Sequence, residues 1–201
     1  MADVASVAGM SSGSVFTYVE SKEALFHLVF TQAFGMPGHE LPKLPLSTPA
    51  PEETVSLIVA NLRSVPAPHL SAATADECPE NVDRELRSII EERYEIQERL
   101  WPILAVIERC AVDIPELEDV YYGHTRVGYF GRLAAYLEGR AEAGYLRPMP
   151  DYLVAARIVS ETISWFAWHR REGRDAQSYD DESVRRTVVE FICAALLEPR
   201  A

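Results

Sequence analysis

The stretch that decides the fold is MADVASVAGMSSGSVFTYVESKEAL, Met1 to Leu25. Its pattern predicts a short helix over residues 2–8, a turn at Gly9-Met10 and a second helix over residues 12–19. After a break at Glu20, a third helix is expected from Ser21 to Phe34. Val4, Ala5 and Ala8 form one small apolar face, and Val15, Phe16 and Val19 are expected to turn towards the core. Gly9 supplies the left-handed backbone that a tight turn between helices needs. Ser11 can cap the following helix by accepting from its free N–H groups. Ser12, Ser14, Thr17 and Tyr18 are left facing outward. Small hydroxyl residues at the start of an exposed helix let its backbone approach a DNA groove and donate to phosphates or base edges. A helical hairpin with a serine-rich corner has the same spacing, so the pattern alone leaves both readings open.

Lys22 adds an electrostatic signal. At the first position of a helix capped by Ser21, a cation sits at the positive end of the macrodipole, where it is locally unfavourable. A phosphate bound there reverses the sign, because free N–H groups and an ammonium together form an anion site. The alternative is a solvated lysine offset by Glu23.

These residues resemble the DNA-binding module of the tetracycline-repressor (TetR) family of bacterial transcriptional regulators. That module carries a helix, an Ala-Gly turn, a recognition helix of Ser-x-Gly-Thr-Leu-Tyr character, and then Phe-x-Ser-Lys-Glu-x-Leu. Here these stand as Val4-Ala5, Ala8-Gly9, Ser11-Ser12-Gly13-Ser14-Val15-Phe16, Val19, and Ser21-Lys22-Glu23-Ala24-Leu25. The resemblance implies base or groove contacts from Ser12, Gly13, Ser14 and Thr17, and phosphate contacts from Ser14, Tyr18 and Lys22. It also implies a helical effector-binding and dimerisation region behind the module. Phe16 stands where the family commonly has tyrosine, which removes a hydroxyl able to reach a phosphate. Met1 falls at the start of the family's second helix, so the module is expected to be incomplete, with Met1 an internal methionine or a boundary. Residues 1–30 are then expected to be mobile and to bind DNA poorly. Up to Phe34 the single cation Lys22 stands against Asp3, Glu20 and Glu23, an unusual balance for a DNA reader.

Outward from this stretch, the chain of 201 residues is 48% hydrophobic and 25% charged, as an ordinary globular protein is. Its net charge of −12 excludes nonspecific coating of nucleic acid, so any DNA contact is local. Cys78, Cys110 and Cys193 make neither a disulfide framework nor a zinc pattern and suit a reducing cytoplasm. Neither a signal peptide nor a transmembrane helix is read from the sequence. No segment alternates apolar and polar residues between hairpin turns, which predicts an all-α protein. Pro37, Pro42, Pro45, Pro49 and Pro51 predict an extended connector over residues 35–51. It separates a helix-turn-helix module at 1–34 from an effector-binding and dimerisation domain at 52–201. Within that domain helices are expected over 52–64, 82–112 with a kink or break at Pro102, 115–144, 151–171 and 181–198. A loop over 65–79 and a glycine stop at Gly144 complete the plan.

Between Ile158 and Trp168 only Glu161 is charged, and between Val188 and Leu197 only Glu190. Both helices therefore need apolar cover on two sides, which predicts a homodimer through an intersubunit four-helix bundle. Val188, Phe191, Ile192, Ala195 and Leu196 are its expected contacts. Aromatic residues concentrate in the middle helices. Most serve the core, and Tyr94, Trp101, Tyr121, Tyr129 and Trp165 are candidates for lining an effector pocket. Glu161 and His169 could orient a ligand, although Arg157, four residues earlier, is placed to pair with Glu161. No catalytic constellation is found. The five histidines, His27, His39, His69, His124 and His169, show no close metal-binding pairing, and the acidic run Asp180-Asp181-Glu182 reads as a helix cap. Neither enzyme activity nor a cofactor is expected. The sequence thus predicts a DNA-binding regulator, a repressor released by a small apolar or aromatic effector. The alternative is a dimeric helical protein that binds a small molecule but not DNA.

Overall fold

The computed structural model describes residues 1–34, 43–50, 52–76, 79–173 and 179–198. Pro37, His39, Pro42, Pro51 and Cys78 lie outside them. Among the described residues the chain is all-α, with no strand beyond isolated bridges at Val19–Leu46 and Leu146–Leu197. It divides into two compact units, Met1–Val65 and Pro66–Ala201.

The first unit holds α1 (Ala2–Val7), α2 (Ser12–Val15), α3 (Lys22–Ala33) and α4 (Glu53–Ser64). The sequence reading joins residues 52–64 to the second domain, but α4 packs with α3, where His27 Nδ1 lies 2.9 Å from Thr54 Oγ1. Thr54, Ile58 and Leu62, four residues apart, are the buried face of α4. The α-helical winding of α2 ends at Val15, four residues short of the expected end. From there Phe16, Thr17 and Tyr18 each bond back to the third residue before, a tighter winding that turns the chain towards α3. This rotation carries Phe16 out of the core to 48% exposure, against expectation, while Val15 and Val19 stay buried. On α1 only Ala5 is buried, and Val4 and Ala8 are exposed.

The second unit contains α5 (Pro68–Ala75), α6 (Val82–Ala111), α7 (Pro115–Glu118), a π-helical turn over Asp119–Arg126, α8 (Val127–Glu142), α9 (Tyr152–Ala167) and α10 (Asp181–Leu196). A single 3-10 turn, His169–Arg171, follows α9, where the sequence predicts continuous helix to Arg171. The core is built from α5, α6, α8, α9 and α10, with Tyr94, Leu86, Ile89, Leu133, Leu137 and Ile163 nearly inaccessible.

Three expectations change here. The 65–79 loop contains α5, which Pro68 opens at a position where its missing N–H costs nothing. Buried Arg140 of α8 closes it, donating to the carbonyls of Ala73 and Asp76 at 2.9 and 2.6 Å and to Glu85 of α6 at 2.9 Å. Pro102 does not break α6, because Ile103, Leu104 and Ile107 beyond it are as well buried as Tyr94 and Gln97 before it. Over 119–126 the regular helix gives way to π winding, in which Tyr121 and Arg126, five residues apart, come to one face. Gly144 does end α8, with φ +78°.

Candidate nucleic-acid interface and effector region

The helix-turn-helix is set by its turn and caps. Gly9 adopts φ +67°, the conformation a side chain would strain, and lets α2 reverse against α1. Ser11 Oγ accepts from Ser14 N at 3.1 Å and lies 2.7 Å from Ser14 Oγ. The core beneath is small: Ala5, Val15, Val19 and Ala24, with Met1, Leu25, Leu28 and Leu46 against them. Leu46 lies in the stretch whose prolines predict an extended connector. Instead the backbone at Leu46 bridges the module, donating to Tyr18 O at 2.8 Å and accepting from Glu20 N at 2.9 Å. Thr48 continues the contact, its N–H donating to Glu20 Oε2 at 3.1 Å and its hydroxyl to Ser21 Oγ at 2.8 Å. A leucine directly after Pro45 is the one sequence signal of this return.

Ser12, Gly13, Thr17, Tyr18 and Lys22 are exposed, and Ser14 is half-buried. In sequence they run from the start of α2 to the start of α3. Thr17 donates its hydroxyl to Ser14 O at 2.7 Å, which leaves its oxygen as an acceptor and its methyl group for apolar contact. Ser21 Oγ accepts from Ala24 N at 3.0 Å, so α3 is capped where Lys22 begins it.

In the second unit the aromatic candidates separate into groups. Tyr121 and Tyr129 are buried near Arg93 and Arg126: the Arg93 guanidinium lies 4.1 Å above the Tyr129 ring, and that of Arg126 lies 5.7 Å from Tyr121. Burial pushes both phenols above their ordinary range, with the arginines working against it, so they remain neutral donors. Tyr94 is buried elsewhere, its hydroxyl 3.4 Å from Phe166 O and its ring 5.9 Å from the Arg185 guanidinium. Trp101 is half-buried, and Trp165 is 44% exposed with its ring edge-on to Phe166. Arg157 does pair with Glu161, at 3.3 Å, and Arg126 bonds the same carboxylate. His169 stacks on Trp168 at 4.1 Å between centroids, away from this group. Arg93 is the residue the sequence reading passed over, since nothing in its spacing separates it from a solvated helix face.

Of the expected dimer contacts, Val188, Ile192 and Leu196 are buried within their own protomer and belong to its core, against expectation. Phe191, 68% exposed, and exposed Ala195 face outward. On α9 the outward apolar residues are Leu153, Val154, Ile158 and Trp165. A groove of about 430 Å3 runs between α9 and α10, lined by Thr162, Phe166, Tyr179, Val184, Thr187 and Phe191. The acidic run before α10 is a cap: Asp180 Oδ2 accepts from Ser183 N at 2.8 Å.

No family model matches the chain, and no curated protein is similar to it in sequence. In fold it is similar to a solved chain from Mesorhizobium loti MAFF303099, provisionally assigned as a TetR-family transcriptional regulator. The match has a TM-score of 0.54 at 15% identity and covers 98% of this chain and 86% of that one. No described helix is long and apolar enough to cross a membrane. From its helix-turn-helix to its last helix, the all-α chain has the fold of that TetR-family regulator.

Proposed function

We propose that the protein is a homodimeric, effector-responsive DNA-binding regulator of transcription, acting as a repressor that a small aromatic or apolar molecule releases. The observation that carries this reading is the exposure of Ser12, Gly13, Thr17, Tyr18 and Lys22, with Ser14 half-buried among them, on a capped helix-turn-helix within a fold shared with a regulator. Ser12, Gly13, Ser14 and Thr17 enter the major groove, while Ser14, Tyr18 and Lys22 hold phosphates and set the register. Operator and effector each favour a different arrangement of the dimer, so the two ligands oppose each other with equal and reciprocal coupling.

The dimer forms through the outward faces of α9 and α10. They present Leu153, Val154, Ile158, Trp165 and Phe191 to solvent, and the two carboxylates within the apolar stretches are already paired: Glu161 with Arg126 and Arg157, and Glu190 with Arg87 at 2.6 Å. A two-fold partner presents the same surface to itself, which satisfies both copies at once.

The test is a DNA-binding titration with the promoters of its own and the adjacent gene, repeated over a range of salt. Lys22→Ala should weaken all sequences about equally and reduce the salt slope by about one unit per site. Thr17→Ala should instead change the preference among operator bases. Unchanged affinity and slope for Lys22→Ala would refute the phosphate assignment. A second reading, a ligand-binding dimer that does not read DNA, draws on the module's acidity: Asp3, Glu20 and Glu23 against Lys22. It predicts no promoter binding at any salt.

A further inference from the structure

Three guanidinium groups meet two carboxylates where α6, the π-helical turn, α8 and α9 come together. Glu161 takes both Arg126 and Arg157. Glu108 accepts from Tyr122 Oη at 3.2 Å and lies 3.8 Å from Arg126 Nη1. Arg93 has no carboxylate partner among the described residues; its contacts are the Tyr129 ring and the Gln97 amide. Oriented to satisfy its neighbours, that amide accepts from Arg93 Nε and Nη2 at 3.0 Å each and donates to Ser164 Oγ at 2.9 Å. Ser164 in turn donates to Ser160 O at 2.8 Å. Ser160 Oγ, in a residue only 1% exposed, has no hydrogen-bond partner among the described residues. The cluster thus carries one surplus positive charge inside a protein of net charge −12.

Stability does not account for Arg93. A cation drawn from water with no carboxylate within ion-pairing distance carries a desolvation cost that only the Tyr129 ring, the Gln97 amide and the more distant charge of Glu161 offset. Burial already works against its charged form. A guanidinium held by a ring face and an amide oxygen still presents N–H groups in a fork that matches a carboxylate. The charge surplus is a single unit, which a monoanion neutralises and a phosphate monoester would overshoot. The surrounding walls are aromatic: Tyr121, Tyr129 and Phe130 are all buried. The π winding that forms one wall is a rare conformation found frequently at functional sites.

We propose that Arg93 anchors the effector, and that the effector is an aromatic monocarboxylate whose head group pairs with Arg93 while its ring packs among Tyr121, Tyr129 and Phe130. Ser160 Oγ is the neutral donor left for the same head group. This rests on the reading of the Pro66–Ala201 unit as an effector domain, and it narrows the chemistry that unit accepts.

The full chain is titrated, without DNA, with benzoate, phenylacetate and 2-naphthoate, and with methyl 2-naphthoate as the uncharged isostere, using calorimetry or tryptophan fluorescence. At least one acid should bind the wild-type protein, and 2-naphthoate should bind ten-fold or more tightly than its ester. Arg93→Met should lose at least ten-fold in affinity for the acid, and Arg93→Lys should recover part of it. Without ligand, Arg93→Met should melt no lower than wild type. Equal binding of acid and ester, an unchanged affinity in Arg93→Met, or silence of the whole acid series overturns the proposal. A melting point several degrees lower in unliganded Arg93→Met makes the residue structural and overturns it equally. If the acids bind as expected but no promoter does, the regulator reading fails and this one stands.

Discussion

Phe191 and Ile192 are neighbours on α10, yet substituting them should break different things. Phe191 is 68% exposed in the protomer, whereas Ile192 is buried against the core. Full burial of a large apolar side chain contributes about 1.5–3 kcal/mol, so covering the exposed two-thirds of Phe191 contributes roughly 1–2 kcal/mol. In a two-fold dimer the residue occurs twice, and Phe191→Ala should therefore weaken dimerisation by about 2–4 kcal/mol, on the order of 30- to 700-fold in Kd. The folded protomer loses almost nothing by the same change. Ile192→Ala removes buried methyl groups and leaves a cavity, which should cost about 2–5 kcal/mol of folding stability. Sedimentation equilibrium over nanomolar to micromolar concentrations gives the dimer constant, and a circular-dichroism melt at high protein concentration gives stability. The expected signature is a folded Phe191→Ala protein that sediments as a monomer where wild type is a dimer. Wild type sedimenting as a monomer at micromolar concentration, or a folded Phe191→Ala protein with an unchanged dimer constant, would refute the assignment of this face.

Other outcomes follow from residues that close the fold. Arg140→Met leaves Glu85 and the carbonyls of Ala73 and Asp76 without their donor, and should cost about 3 kcal/mol, read as a lower melting midpoint, with α5 the first segment to gain hydrogen exchange. Burial pushes the Cys193 thiol up to about 11. The unfolded chain ionises nearer the ordinary thiol range, so this contribution is complete below about pH 9 and is lost as pH rises towards 11. Denaturant melts should show wild type weakening across that window more than Cys193→Ala does. Asp181, held below the usual carboxylate range by its bond to Arg170, acts in the opposite direction. Its contribution is present at neutral pH and is lost as pH falls through the carboxylate range; Asp181→Asn should flatten that acid limb.

The long helices of the second unit were legible because their apolar positions recur at three and four residues, and the 3.6-residue period is a property of the chain itself. α5 was not, because its eight residues have no strong apolar face; it exists because Arg140, 64 residues after Asp76, binds its last carbonyls. The π winding was invisible for a related reason. Residues 115–142 have the composition of one regular helix, and only the demand that Tyr121 and Arg126 share a face distinguishes them. Sequence also cannot distinguish the two apolar sides of α10. Val188, Ile192 and Leu196 look as available for a partner as Phe191 does until α6 and α9 are seen to occupy one of the sides.

Leu46 shows how the same limit reaches the candidate DNA surface. Prolines at 45 and 49 correctly exclude helix there, but an extended segment has free backbone groups that must bond somewhere. Here they bond to Tyr18 and Glu20, between α2 and α3, and the Leu46 side chain adds to a core with four buried residues among those described. In so small a core, one apolar side chain is a large share of what fixes α2 against α3. Leu46→Asp should therefore loosen the register between Thr17 on one side of the bridge and Lys22 on the other, although neither residue is touched. With Thr17 assigned to bases and Lys22 to phosphate, as proposed above, the loss should appear in both sequence preference and salt slope, a pattern that neither Thr17→Ala nor Lys22→Ala should produce alone. An operator titration of Leu46→Asp that changed only one of the two would mean that the segment adds contact area but does not hold the reading surface in register.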